Sequence, residues 1–357
     1  MHFDLFYELS NPDFLNRSEC QLYHDTIAEI QWAESLGFST VWLVEHHFMP
    51  AYSHSPAPDL FLAALAQATS RIRLGLAVIP LPFHHPVHIA ERIATLDILS
   101  KGRIELGVGR GFSPTEFSVF SQNMAHSRAY SEESLAIIKK CFSQESVNFK
   151  GEFFQIDGID VVPKPVQKPW PPLWWAAVSP ESFQQAARLG LGVLAGPFKP
   201  WFMTKRDFKN YHHSYQKYHP QPSLQNNCQA GMVMGILCLE DGKHAKYLAQ
   251  NNMLWFYQQL LRQVSPVLEK LHHSYEYHYQ MGRWRGWYER LAHITVLEKL
   301  GMVIAGNPEH CLKRLTALAQ QGVNRILCAV GAGCLPTEIV KESLHLLAHQ
   351  VKPQLPS

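Results

Sequence analysis

The sequence predicts an eight-stranded parallel (β/α)8 TIM barrel, and two observations carry that prediction. Apolar runs without alternation recur about every 30 residues, near 40–46, 73–79 and 103–108, which is typical of strands buried on both faces of a parallel sheet. Each run ends in glycines or polar residues, and in parallel barrels functional groups gather at the carboxyl ends of the strands. A chain of 357 residues accommodates one such domain with insertions.

The remaining elements follow from apolar periodicity and from proline and glycine positions. Strands are predicted near 2–7, 40–46, 73–79, 103–108, 173–178, 192–195, 231–239 and 325–330. Helices are predicted near 22–36, from 58 onward, and near 87–99, 131–143 and 180–189. The proline-rich segment 163–172 is expected to be extended. We expect one domain over 1–357, with a Trp-, Tyr- and His-rich helical insertion at 240–300, whose role the sequence leaves open.

Composition excludes several classes of function. The net charge of +2, from 32 basic and 30 acidic residues, provides no electrostatic footprint for nucleic acid or for an anionic membrane. No run is long and apolar enough for a transmembrane helix, and no signal peptide is recognisable, so we expect a cytoplasmic protein. Seven scattered cysteines without a Cys-x-x-Cys pair indicate reduced thiols.

Two strand ends offer groups suited to a phosphate. Ser179 follows a predicted strand and precedes Pro180, so a helix begins there, and Ser182 adds a second hydroxyl beside the free amides. The alternative is that Ser179 only caps the helix. Gly109 and Arg110 follow another strand, where glycine permits close approach of a ligand and arginine suits phosphate. The alternative there is an ordinary turn.

The third strand end carries a carboxylate and two histidines, Glu45, His46 and His47. If the chain is still extended there, the two histidines point to opposite faces and cannot both reach one metal, so no metal site is predicted. One histidine that faces the barrel mouth could act as a base or a hydrogen-bond donor near neutral pH. It could equally be a histidine satisfied within a polar layer.

With these segments placed, the chain resembles the bacterial luciferase-like monooxygenase family. The resemblance covers roughly 1–197 and 302–352, and it is weaker in the insertion. It is carried by several motifs in one order: Gly37-Phe38, Val41-Trp42-Leu43-Val44-Glu45-His46-His47-Phe48, Leu81-Pro82 with His85-Pro86, Ser100-Lys101-Gly102-Arg103, Gly107-Val108-Gly109-Arg110-Gly111, Ser127-Arg128, Pro172-Leu173-Trp174, Ser179-Pro180-Glu181-Ser182 and Gly306-Asn307-Pro308-Glu309.

The resemblance implies a flavin at the carboxyl ends of the strands, FMN or in some branches a deazaflavin. Arg110, Arg128, Ser179 and Ser182 match the groups that hold the phosphate in the family. Ala77-Val78 matches a position that often has a non-prolyl cis peptide beside the flavin ring, and His46 matches the histidine implicated in catalysis. The other residues expected to line the cofactor site are Glu45, Gly109, Ala177 and Val178.

The implied reaction uses reduced FMN and O₂ to oxygenate a small or medium apolar organic substrate, whose identity the sequence does not specify. Reduced flavin could come from a separate reductase or from NAD(P)H directly, and family precedent favours a homodimer. Alternatives are a non-catalytic flavin-binding protein and a deazaflavin-dependent oxidoreductase. The chain departs from luciferase at Gly109, Val178, Gly196 and Pro197, where luciferase has cysteine, an acidic residue, serine and tryptophan.

Overall fold

The computed structural model describes residues 1–196, 198–271, 293–332 and 334–355. Eight parallel strands close into a barrel, as predicted. The strands of the described chain are β1 (His2–Tyr7), β2 (Thr40–Leu43), β3 (Arg73–Pro80), β4 (Ile104–Gly109), β5 (Ser146–Lys150), β6 (Gln155–Asp160), β7 (Leu173–Ala177), β8 (Gly192–Ala195), β9 (Ala230–Cys238), β10 (Val303–Gly306) and β11 (Arg325–Cys328).

The barrel order is β1-β2-β3-β4-β7-β8-β9-β11, and the pairing of β11 with β1 closes the sheet. The strands β2, β4, β8, β9 and β11 are buried along their whole length. This explains why the sequence shows continuous apolar runs where a half-exposed strand would alternate. Because all eight strands run parallel, their carboxyl ends meet at one mouth of the barrel.

Helices cover the outside of the barrel, and prolines or capping side chains begin many of them. Their bounds are α1 (Glu19–Ser35), α2 (Pro58–Ala68), α3 (Pro86–Leu99), α4 (Pro114–Val119), α5 (Ser127–Ser143), α6 (Pro180–Leu189), α7 (Trp201–Tyr218), α8 (Gly242–Leu248), α9 (Leu254–Leu271), α10 (Ile294–Lys299), α11 (Pro308–Ala319) and α12 (Thr337–Leu346). Gly37 has a φ of 79°, so it ends the first helical segment in the left-handed region, as its position in the sequence indicated.

The structure corrects the sequence-based element map in three places. The antiparallel hairpin β5–β6 was not predicted. The stretch between β9 and β11 is not wholly helical, because β10 pairs in parallel with the carboxyl half of β9. Helix α5 begins at Ser127, four residues earlier than predicted, which places Arg128 in a helical turn. Part of the predicted insertion, residues 272–292, lies outside the described residues.

A buried charged layer fills the amino-terminal end of the barrel. Arg325 Nη1 lies 2.8 Å from Asp4 Oδ2 and 3.8 Å from Glu105 Oε1. The indole nitrogens of Trp42 and Trp174 donate to Asp4 and Glu105 at 2.8 Å and 2.6 Å. This layer lies opposite the barrel mouth, where substitutions affect stability more than function. Within the described residues, no helix combines the length and apolarity needed to span a membrane.

Candidate functional site

The buried carboxylate of Glu45 organises the mouth of the barrel after β2. Its Oε1 lies 3.1 Å from Nε2 of His47 and 2.6 Å from Nε2 of His84. His84 follows β3, so one carboxylate oxygen connects the loops after two neighbouring strands. Burial alone would raise the pKa of Glu45, but the hydrogen bonds from the two histidines lower it overall below the ordinary value.

His46 lies between two further buried carboxylates. Its Nε2 is 3.8 Å from Oε2 of Glu8, which follows β1, and its Nδ1 is 3.6 Å from Oε1 of Glu116 on α4. The same Glu116 oxygen accepts a hydrogen bond from the backbone amide of His47 at 2.8 Å. The ring of Phe112 packs edge-on against the imidazole, with centroids 5.3 Å apart. The two imidazoles therefore face different carboxylates, Glu8 and Glu116 for His46 and Glu45 for His47, although β2 ends at Leu43, before both histidines.

The surroundings of His46 favour its protonated form. Burial would lower the pKa of the imidazole, but Glu116 and Glu8 raise it overall above the ordinary value, with a smaller contribution from Glu45. Burial raises the pKa of Glu8, and the charge of His46 and a hydrogen bond from Tyr52 offset only part of that effect. In the pair of Glu8 and His46, the pKa values of both groups are therefore raised above their ordinary values.

A close contact between β3 and β4 shapes the mouth near the cis peptide. The bond Ala77–Val78 is cis, as the resemblance implied, and both residues are half-buried. A Cβ on Gly109 would lie 2.6 Å from Cγ2 of Val78 and 3.2 Å from Cβ of Ala176 on β7. Glycine is therefore required at this position in the present packing, and a cysteine there, as in luciferase, would require Val78 to move.

The end of β7 carries Ala177 and Val178 into the amino terminus of α6. Ser179 accepts a hydrogen bond from the amide of Ser182 at 3.3 Å, and the Ser182 hydroxyl accepts from the amides of Ser179 and Val178 at 3.0 Å each. Ser179 therefore does cap α6, as the alternative interpretation of this residue predicted. The Ser182 hydroxyl donates to the carbonyl of Ser179 at 2.7 Å, whereas the Ser179 hydroxyl donates only over a long 3.4 Å contact to Ser182, so the Ser179 proton is freer to turn toward a ligand.

Two arginines and a lysine lie at or after the ends of neighbouring elements. Arg110 directly follows β4, Arg128 lies in the first turn of α5, and both are half-buried. Lys199 is buried in an ion pair with Asp207 and donates to the carbonyl of Val178 at 2.8 Å, which ties the β8–α7 loop to the β7–α6 loop. Guanidinium groups and a serine-capped helix amino terminus are each chemistry that suits a phosphate dianion.

Two of the departures from luciferase, Gly196 and Pro197, lie directly after β8, and the structure describes the first of them. A Cβ on Gly196 would lie 1.9 Å from Cε2 of Phe198, so the Phe198 ring occupies the space that a side chain at 196 would need. Pro197 lies outside the described residues.

Sequence reasoning missed four residues of this site. Glu8 follows β1 in the same way that Glu45 follows β2, so the rule of polar groups at strand ends could have found it. Tyr52, whose hydroxyl donates to Glu8 at 2.9 Å, lies in a loop without a recognisable pattern. Glu116 and Lys199 are functional candidates only because of their tertiary contacts, and no local signal marks them.

A closed parallel barrel with its polar cluster at the carboxyl ends of the strands is the architecture of a barrel enzyme. The chain belongs to the family described as luciferase-like monooxygenase, whose profile matches residues 1–325.

Three curated relatives illustrate the similarity. The chain is 37% identical over 175 residues to the uncharacterized protein y4vJ of Sinorhizobium fredii, covering 49% of this chain and 50% of that protein. It is 33% identical over 199 residues to the oxygenase component of the flavin-dependent trigonelline monooxygenase of Acinetobacter baylyi, covering 55% and 54%. These matches span only about half the length of those relatives. It is 26% identical to the alkanal monooxygenase alpha chain of the Kryptophanaron alfredi symbiont, covering 91% and 90%.

Two solved structures share the fold over nearly the whole length. The monooxygenase RslO1 from Streptomyces bottropensis superposes with a TM-score of 0.81 at 24% identity, covering 99% of both chains. The oxygenating constituent of 3,6-diketocamphane monooxygenase from Pseudomonas putida, in complex with FMN, superposes with a TM-score of 0.78 at 19% identity, covering 100% and 99%.

Proposed function

We propose that this protein is an FMN-dependent monooxygenase that uses reduced FMN and O₂ to oxygenate a small or medium apolar organic molecule. The observation that carries the proposal is the position of His46, which is half-buried at the barrel mouth between the carboxylates of Glu8 and Glu116. A protein that only stored flavin would not need an acid–base group in this setting. The names of the relatives given above, which include flavin-dependent oxygenases, support the same function.

Arg110, Arg128, Ser179 and Ser182 would hold the FMN phosphate. The guanidinium groups supply charge, and the first turn of α6 supplies the amide of Glu181, since Pro180 has none and the Ser182 amide already donates to Ser179. Rotation of the Ser179 hydroxyl away from its 3.4 Å contact with Ser182 would add a further donor. The ring would lie along the surface formed by Ala77, Val78, Gly109, Ala177 and Val178, near Glu45.

Reduced FMN, when bound, supplies the electrons that activate O₂ for insertion of one oxygen atom into the substrate. The residues of this chain would orient the cofactor, exclude water, and hold and transfer one proton. His46 Nε2 is the atom at which that proton is held, because its surroundings stabilise the imidazolium without fixing it in a direct hydrogen bond. Glu45 keeps the adjoining loops in place through His47 and His84.

Three further parts of the proposal concern partners and setting. Reduced flavin would come from a separate reductase, as the phrase "oxygenase component" in the name of the trigonelline relative suggests, or from NAD(P)H directly. The protein would act as a homodimer. A cytoplasmic location remains a prediction that rests on the sequence.

Oxygen consumption with chemically reduced FMN tests the activity. We expect the wild-type protein to alter the course of FMN oxidation, and His46→Ala to remove that effect while FMN still binds. The matched control is His213→Ala on the exposed side of α7, which should behave as wild type. If FMN binds and His46→Ala leaves its oxidation unchanged, catalysis through His46 is wrong.

A deazaflavin titration runs in parallel because two F420-dependent oxidoreductases share the fold, with TM-scores of 0.73 and 0.68. We expect FMN to bind more tightly than the deazaflavin. The reverse order would replace the monooxygenase proposal by a deazaflavin-dependent oxidoreductase.

A further inference from the structure

Glu8 is a buried carboxylate at the barrel mouth with one unsatisfied oxygen, a feature that Asp4 and Asp59 share elsewhere in the described chain. Its Oε1 accepts the hydroxyl proton of Tyr52 at 2.9 Å, and its backbone carbonyl accepts the Ser53 hydroxyl at 2.7 Å. Its Oε2 is buried and has no hydrogen-bond partner among the described residues. That oxygen lies 3.8 Å from Nε2 of His46, whose Nδ1 is also buried without a hydrogen-bond partner in the described chain. Unsatisfied buried polar atoms are costly and call for an explanation.

Glu8 also lines a cavity of about 260 Å³ that opens away from the cluster of Glu45 and its histidines. The cavity runs between the end of β1, helix α1 and the segment after β11. Its lining extends from the buried Glu8 to the exposed Asp25, so it joins the barrel mouth to the surface. Arg17 and Glu29 add polar groups on the way. A polar cavity of this size holds several water molecules.

We infer that Glu8 is a positioning residue for the proton on His46, and that this cavity connects the proton to solvent. The inference rests on the proposed function in its catalytic part. The step is a transfer of one proton. As the two groups approach from 3.8 Å, the Nε2–H bond of the imidazolium breaks and an O–H bond forms on Oε2 of Glu8. Because Oε2 is buried, the carboxylic acid group then turns toward the cavity and releases the proton to water there. The reverse sequence reloads His46, and no electrons move.

The other groups around His46 do not offer this route. Glu116 faces Nδ1 but its Oε1 already accepts from the His47 amide, and it does not line the cavity. Glu45 is engaged with His47 and His84. Phe112 and Tyr52 present rings, with centroids 5.3 Å and 6.1 Å from that of His46. Glu8 is therefore the group that both faces His46 and reaches the cavity.

The test measures the proton on His46 without any flavin. The full chain is labelled at histidine Cε1, the His46 signal is assigned by its loss in His46→Asn, and the signal is titrated by NMR. We expect Glu8→Gln, which keeps an acceptor for Tyr52 but removes the charge, to lower the measured pKa of His46 by about one unit or more. Glu29→Gln is the matched control, because Glu29 lines the same cavity but pairs with Tyr7, and it should leave that pKa unchanged.

Formate probes the cavity as a route. In Glu8→Ala, added formate should enter the cavity and move the measured pKa of His46 back toward the wild-type value, while the wild-type signal does not respond. An unchanged pKa in Glu8→Gln would overturn the assignment of Glu8, and lack of any formate effect in a folded Glu8→Ala would overturn the cavity route. Because no flavin is present, these outcomes are separate from a failure of the protein to bind FMN.

A kinetic measurement can be added once FMN binding is established. The pH profile of bound reduced flavin oxidation should shift in Glu8→Gln in the same direction as the NMR pKa of His46, and Glu338→Gln, at an exposed position on α12 outside the cavity lining, should retain the wild-type profile. A profile in Glu8→Gln that matches wild type would contradict the role of Glu8 in proton supply.

Discussion

Oε1 of Glu45 lies 2.6 Å from Nε2 of His84, although 39 positions separate the two residues in the chain. Glu45 follows β2 and His84 follows β3, so this contact joins two neighbouring loops at the barrel mouth. The same oxygen is 3.1 Å from Nε2 of His47. One buried carboxylate thus holds the loop that delivers His46 in register with the loop that follows the cis peptide.

Glu45→Gln should destabilise the protein at neutral pH by about 1.5–3 kcal/mol, because hydrogen bonds to a charged group are lost while the shape is retained. The folded-state pKa of Glu45 lies below its ordinary value of 4.5. Its contribution is therefore present above pH 4.5 and is lost as the pH falls through the lower folded-state value. Thermal unfolding followed by circular dichroism at neutral and acid pH measures this dependence.

The matched control for this prediction is Glu338→Gln on α12, where the side chain is 86% exposed. It should leave the melting temperature unchanged at every pH. A Glu45→Gln deficit that grows as the pH falls would contradict the predicted sign.

Gly109→Ala should be destabilising by about 1–3 kcal/mol, because the added Cβ would lie 2.6 Å from Val78 Cγ2 and the local packing is tight. It should also weaken FMN binding if Val78 lines the flavin site. Shortening the obstructing side chain in Gly109→Ala/Val78→Ala should recover part of the stability, since the nearest clash is removed. Unfolding midpoints of the single and double variants measure the coupling. Strictly additive effects would show that the two residues do not share this contact.

Arg325→Met should cost about 3–5 kcal/mol, since it leaves Asp4 buried without its counter-charge, whereas Glu105 keeps its ion pair with Arg73. Burial already raises the pKa of Asp4 to about 6, even with Arg325 beside it. Without the arginine that pKa should rise further. A raised carboxyl pKa stabilises the folded state at low pH and loses that effect as pH rises through the folded-state value. The loss on Arg325→Met should therefore be larger at pH 8 than at pH 5.

Arg71→Met, at an exposed position before β3, is the matched control for this prediction and should be neutral. Melting temperatures at the two pH values provide the measurement. Equal losses at both would contradict the role assigned to Asp4.

The barrel could be predicted because its strands are buried on both faces. Such strands need apolar residues at successive positions, so they are visible in the sequence as continuous apolar runs. Strand β10 escaped prediction because it is four residues long and lies within a stretch of helical composition. The hairpin β5–β6 escaped because its residues are mostly exposed and polar. In both cases the pairing partner, which the local sequence does not specify, decides the structure.

The residues of the candidate site likewise fall into two groups, those that the sequence could predict and those that it could not. Glu45, His46, Gly109 and Ser179 could be found because each lies at or shortly after the carboxyl end of a strand, so their places in the chain determine the end of the barrel at which they lie. Glu116 could not be found, because it reaches His46 from a short helix 69 positions beyond the His47 amide that it also binds. Its role arises from tertiary packing.

The most direct test of the central claim is isothermal titration calorimetry of FMN, oxidised and reduced, with the wild-type protein and Arg110→Ala/Ser179→Ala. The control Arg71→Ala/Ser18→Ala removes an exposed arginine and the serine that caps α1 through a comparable capping box. We predict that wild type and control bind FMN alike, and that the site variant binds at least about tenfold more weakly, since it loses a charge-assisted contact and a serine hydroxyl worth about 1.4 kcal/mol or more together. Equal affinity in all three proteins, or no uptake of any flavin by the wild type, would contradict the account.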